Sequence, residues 1–294
     1  MTDLLRRYGV GLTTVFILLT AFWLLILVIL PNIYLFENSF RPYLPIAEMG
    51  GPKDTYSLDN YLVFFKSPIH INVFVWTVLY SSFVTVICFV IAYPMAYYLS
   101  KVASNKMLPT LFLLLFVPLW VSEVLRSFAW FIILAFKGPL NAGLLGLGIL
   151  EDPIRWISGF RGVMIGLVYT YVLFMLFPMY NSIQSLDTNQ IEAAEDLGSP
   201  SWYTHWRVIL PHAKPGIASG AVMVFMLSAG SILVPTLLAS TNSRWFTEII
   251  YQWMFESQDW NTGSAYAFLL LILCSVFVTV VMRVFRVKLS DIAK

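Results

Sequence analysis

The 294-residue chain is 59% hydrophobic and 12% charged, with a mean hydropathy of +0.78, a composition that excludes an ordinary soluble domain and points to the membrane. Its 18 Lys and Arg against 16 Asp and Glu leave a net charge of +2 spread along the chain, which excludes the basic face of a nucleic-acid binder. Cys88 and Cys274 each lie in an apolar run, where free cysteine acts as a small hydrophobe, so no disulfide framework or redox role is indicated.

A helix needs about 20 apolar residues to cross a bilayer core. Stretches without Asp, Glu, Lys or Arg run over Tyr8 to Phe36, Ser67 to Ser100, Met107 to Ser122, Gly162 to Leu186, Pro215 to Ser243 and Trp260 to Met282. Backbone polarity forces each spanning piece to be helical, so the expected fold is all-α with six transmembrane helices. These cover about 9–36, 70–100, 107–135, 161–183, 214–240 and 261–285 in a single membrane domain over 1–294. The first stretch is too long for the apolar core of a signal peptide and lacks a small-residue cleavage site, so it is expected to persist as helix one. The third is short before Glu123 and Arg126 and resumes in SFAWFIILAF. It reads as one long helix or as a helix followed by a re-entrant or interfacial piece, with one crossing plus an interfacial extension preferred.

An even number of crossings puts both termini on one side. With the termini inside, Arg6, Arg7, Lys101, Lys106, Arg207, Lys214, Arg283, Arg286, Lys288 and Lys294 are cytoplasmic, ten cations against eight outside. The bias favours cytoplasmic termini.

The outer loops carry little chemistry. Residues 37–70 mix Pro, Gly and charge, with a short helix expected near 58–65; residues 138–159 are rich in Gly and Pro; and Trp245, Tyr251, Trp253 and Trp260 read as an interfacial aromatic belt. The one long inner connection, 184–214, is different. Asn189 with Glu192 three residues on reads as a capping box, Gly198 as a helix stop, and Pro200 as the first position of a second helix that buries Trp202, Trp206 and Ile209 before Pro211 ends it.

Within that connection stand Glu192-Ala193-Ala194, three residues, Gly198, nine residues, then Val208-Ile209-Leu210-Pro211. This pattern resembles the cytoplasmic signature loop of permease subunits of ATP-binding-cassette importers, with Val208 where isoleucine is usual. SLDNY at 57–61, FVPLW at 116–120, GPLN at 138–141 and IGLVY at 165–169 are similar to the first permease of spermidine/putrescine importers, a resemblance covering most of the chain. It implies that Glu192, Ala193, Ala194, Gly198, Leu210 and Pro211 form a coupling helix and its exit, docking on an ATPase. It implies a type I importer permease in a bacterial inner membrane, with two ATPase subunits, a second and distinct permease and an extracytoplasmic binding protein as partners. ATP and Mg would be held by the ATPases, leaving this chain without a cofactor. Polyamine is the implied substrate, and related permeases serve opines, phosphonates and iron complexes.

No Lys directly follows Gly anywhere in the chain, so it has no phosphate-binding loop of its own. It offers no paired metal ligands, and His70, His205 and His212 read as surface histidines. No nucleophile elbow supports an enzyme. An ion-coupled carrier is the competing class, but it usually shows paired repeats and broken helices, and the sequence displays neither clearly. An ionisable residue at membrane depth is a functional candidate. Glu123 suits a cationic solute, with Trp120, Trp130, Tyr169 and Tyr171 offering aromatic faces to an ammonium group. The plainer alternative pairs Glu123 with Arg126 at i+3 and leaves the aromatics as interfacial anchors. Glu256 and Asp259 are weaker candidates for the pathway mouth.

Overall fold

A computed structural model describes residues 2–45, 48, 50–240 and 243–287, with side chains from residue 9 onward. The side chains of Arg6, Arg7, Lys288 and Lys294, which enter the orientation argument, lie outside the described residues. Every regular element described is helical: α1 (Gly9–Ser39), α2 (Asp59–Lys66), α3 (Pro68–Val102), α4 (Leu108–Trp120), α5 (Glu123–Leu134), α6 (Pro139–Gly146), α7 (Arg161–Gln184), α8 (Thr188–Asp196), α9 (Ser201–His212), α10 (Lys214–Ala229), α11 (Leu233–Leu238), α12 (Phe246–Tyr251) and α13 (Trp260–Phe285). Among the described residues five helical stretches are long and apolar enough to cross a membrane, α1, α3, α5 with α6 (Glu123–Gly146), α7 and α13, or six if the bent pair α9 and α10 counts as one.

Two of the expected crossings are interrupted. The third breaks at Val121 and Ser122, both extended, because α4 ends at Trp120 and α5 restarts at Glu123. The fifth stops at Ala229 and resumes at Leu233 after Gly230, Ser231 and Ile232. The expected unbroken helix fails here because Gly230 and Ser231 sit in an otherwise uncharged run that hides the break.

The chain forms two compact units, 1–68 with 250–269, and 69–249 with 270–294. In the first, α1 is exposed on nearly all sides, as suits a helix whose solvent is lipid. The SLDNY segment fastens its end. Asn60 Nδ2 donates to Ser39 O and Arg41 O at 2.9 and 2.8 Å, and Tyr61 Oη donates to Ser39 Oγ at 2.8 Å. Arg41 bridges Glu37 and Asp54. The Gly50 N–H donates to Asp54 Oδ2 at 2.9 Å, and this bond, followed by Arg41, holds the Asp54 carboxyl below the usual carboxylate range. Asp259 caps α13, accepting from Thr262 N and Thr262 Oγ1 at 2.9 and 2.7 Å, which gives it a structural role.

In the second unit, α7 is the most buried of the spanning helices. Lipid is as apolar as leucine, so helices associate in it through close packing, which small residues permit. α10 carries Gly216 and Gly220, spaced i, i+4, against Pro178 and Met175 of α7; a Cβ on Gly220 would meet Met175 Sδ at 2.7 Å. Gly166 of α7 makes the same kind of approach to Val234 and Leu238 of α11. Gly220→Leu is therefore expected to destabilise the unit by about 1–3 kcal/mol, read as a lowered melting temperature in detergent. Gly143→Leu, where an added Cβ meets nothing within 4 Å, should melt as the parent does. Trp245, expected in an outer aromatic belt, is instead fully buried and donates Nε1–H to Ser228 O at 3.0 Å. In the GPLN segment, the Asn141 amide donates to Phe136 O and Ile154 O and accepts from Ile154 N and Trp156 Nε1, which explains a buried asparagine in an otherwise apolar short helix.

Candidate functional site

The connection 184–214 folds as a short helix, a left-handed residue and a second helix. Asp187, not Asn189, is the N-cap of α8: its backbone is extended and its Oδ1 accepts from Asn189 N at 3.0 Å. Glu192 is therefore the fifth helical residue, exposed, and outside the capping turn. Gly198 takes φ +77; its N–H donates to Glu195 O at 2.8 Å and that of Ser199 to Ala194 O at 3.0 Å, the paired bonds of a Schellman end. An added Cβ at Gly198 meets nothing within 4 Å, so conformation alone demands glycine there.

Pro200 caps α9 instead of opening it. Trp202 and Trp206 are 70% and 68% exposed, whereas Ile209 is 1% exposed. The three do not share a buried face because residues His205–Ile209 form a π turn, which adds a residue per turn and rotates Ile209 away from the two indoles. Nor does Pro211 end the helix, which continues to His212 and meets α10 at a 71° bend. Leu197 is 88% exposed. A cavity of about 400 Å³ beside it is lined by Ala194, Leu197, Gly198, Pro200, Tyr203 and Arg207 among others. The buried side is anchored by Ile191, Thr204 and Ile209. Leu210 is half-buried and Pro211 exposed.

A second constellation lies where the interrupted helices meet. α4 has 13 residues, and Glu123 opens α5 directly beyond the two-residue break. Tyr171 Oη of α7 donates to Glu123 Oε1 at 3.1 Å. Both line a cavity of about 350 Å³ whose lining also includes Met226, Leu227, Gly230, Ser231, Ile232 and Leu233. Ser231 is buried and its side chain faces Tyr171. Among the described residues Glu123 forms no ion pair with Arg126, and Arg126 Nε is itself buried without a partner. The aromatic candidates divide. Tyr171 shares the cavity, Trp130 meets Tyr169 edge-on at 5.3 Å without lining it, and Trp120 is 78% exposed. Ser231 lies inside the break at 230–232, for which the Ala229-Gly230-Ser231 triplet ahead of Pro235 is the available signal in the sequence.

Residues 88–290 match the family model of the binding-protein-dependent transport system inner membrane component. The chain belongs to this family of importer permeases. It is 33% identical over 274 residues to the spermidine/putrescine transport system permease protein PotB of Salmonella typhimurium strain LT2, covering 92% of this chain and 94% of that one. It is also 33% identical to PotB of Escherichia coli K12, covering 90% and 94%. The fold is that of the bacterial alginate ABC transporter in complex with its pentasaccharide-bound periplasmic protein, at TM-score 0.76 and 19% identity, covering 98% and 99%. The permease is therefore a multi-pass inner-membrane component of an ABC importer, working with an ATPase and a periplasmic binding protein and catalysing no reaction itself.

Proposed function

We propose that this permease carries polyamines of the spermidine and putrescine class, with Glu123 as the anionic point of its path. The supporting observation is a carboxylate between two apolar helices, lining a cavity between two helix breaks, hydrogen-bonded by Tyr171 and, among the described residues, unpaired with Arg126. A carboxylate there favours an ammonium group and disfavours an anionic solute such as a phosphonate. A similar but distinct second permease completes the path, both termini are cytoplasmic, and two ATPase subunits hold all the ATP and Mg. Loop 184–214 is the coupling element: Glu192, Ala193, Ala194 and Gly198 shape the docking helix, and Leu210 and Pro211 lead its motion into α10. ATPase closure then reaches the membrane helices as rigid-body displacement.

Thermal melting of the cognate binding protein across a solute panel tests the substrate class. Stabilisation by spermidine or putrescine at micromolar concentration is expected, and stabilisation by opines, phosphonates or ferric complexes alone contradicts the proposal. Single-cysteine labelling tests the orientation. Asn105 and Trp202 should react only from the cytoplasm and Lys53 only from outside, and any exchange between these sets refutes it. Positions 242 and 294, natural choices for the last outer loop and the C-terminus, lie outside the described residues.

A further inference from the structure

α9 has chain continuity with α10, so displacement of the loop reaches α10 through the backbone at Ala213. α3 has no such continuity, and side chains alone connect it to α9. His205, which opens the π turn of α9, places Nδ1 2.8 Å from Tyr93 Oη of α3, hydrogen-bonded, and sets its ring edge-on to Tyr97 at 4.5 Å. Among the described residues Tyr93 and His205 are each other's only side-chain hydrogen-bond partner. The half-buried position of His205 corrects its reading as a surface histidine. His212 is exposed but also engaged, 3.0 Å from Ser185 Oγ. The contact falls at a deformable part of α3. Tyr93 immediately precedes Pro94, which lacks a donor and loosens the helix around it, and the last turn, Tyr98–Val102, is a π turn. Lys101 of that turn donates to Leu186 O at the start of the inner loop.

We propose that Tyr93 and His205 form a latch that makes α9 and the inner end of α3 move as one body, so that ATPase displacement bends α3 at Pro94 as well as shifting α10. This rests on the reading of 184–214 as the coupling loop. His205 is a positioning residue, touching neither solute nor nucleotide. Coupling between distant sites needs a contiguous element that both can bias, and this hydrogen bond supplies it for α3. Removing it leaves the loop folded on its Ile191, Thr204 and Ile209 anchors, because the Tyr93 hydroxyl fills no core position.

The test uses the complete transporter in nanodiscs, with spin labels at Asn105 after α3 and at Glu195 on α8, both exposed. In the parent, the distance between labels should be the same without nucleotide and after trapping with ATP and vanadate. In Tyr93→Phe and in His205→Ala it should split or broaden on trapping. ATP consumed per spermidine delivered should then rise about fivefold to tenfold, the scale of one lost hydrogen bond in a two-state element, with the ATPase subunits still bound. His205→Asn, which can place an amide near the Nδ1 position, should restore both readouts. A Tyr93→Phe transporter with the parent's distances in both states overturns the latch, as does one that simply loses its ATPases. Should His205→Ala fail to insert, Tyr93→Phe decides, and the distance readout does not depend on the solute. Gly198→Val run in parallel separates the two failures: if it uncouples while Tyr93→Phe is silent, only the latch is wrong, and if it too is silent, the coupling reading falls first.

Discussion

Gly198→Val is expected to leave the permease in the membrane while abolishing most ATPase recruitment and substrate-stimulated hydrolysis. The argument is conformational. At φ +77 with open space around it, a new side chain clashes with no neighbour, so the cost is that of holding a β-branched residue in the left-handed region, of order 1–3 kcal/mol. The Schellman bonds to Ala194 and Glu195 then give way, and α8 is re-aimed relative to α9. The series is diagnostic: Asn should be tolerated best after Gly, Ala should be intermediate, and Val should be worst. Co-purification of the ATPase with each variant measures it. Equal recruitment across the series would show that the turn at Gly198 does not orient a docking helix. Glu192→Lys should also weaken recruitment. Because Glu192 is the fifth residue of α8 and Asp187 makes the cap, its effect comes from charge reversal at the contact and little from the helix dipole, which fades beyond the first turn.

The second large effect belongs to Glu123→Gln. The glutamine carbonyl can still accept from Tyr171, so assembly and melting temperature should be unchanged. The lost charge should lower uptake of a divalent or trivalent polyamine by about tenfold to a hundredfold, the scale of one charge-assisted hydrogen bond. Neutralising Arg126 as well should give no recovery, since the two side chains form no ion pair. Recovery in the double variant would return Glu123 to a structural role. Ser231→Ala, removing a buried hydroxyl beside Tyr171 in the same cavity, should leave folding intact and reduce uptake more modestly.

Composition and uncharged run lengths carried the all-helical membrane architecture into plain view, because lipid allows few alternatives to a continuous apolar helix. The connection 184–214 was legible for a different reason: Glu192-Ala193-Ala194, Gly198 and Leu210-Pro211 form a spaced pattern in a long polar stretch between apolar runs. What escaped was local geometry that apolar runs do not encode. The break at 230–232 lies in uncharged sequence, and the π turn at 205–209 changes which face Ile209 occupies without any change in residue type. The capping error has the same origin, for Asp187 and Asn189 are both good caps and only backbone dihedrals distinguish them. His205 was passed over because a lone histidine in a polar loop gives no hint of a tyrosine 112 positions earlier. Glu123 could be singled out by depth, whereas its neighbours in space, Tyr171 and Ser231, come from two other helices.

Uptake of labelled spermidine into proteoliposomes containing the full transporter tests the central claim most directly, with parent and Glu123→Gln at matched ATPase content. The expected result is accumulation that requires ATP and the binding protein, is competed by putrescine, and falls at least tenfold in the variant. Parent transporter that ignores spermidine but accumulates an anionic or neutral solute, with Glu123→Gln equally active, would contradict it.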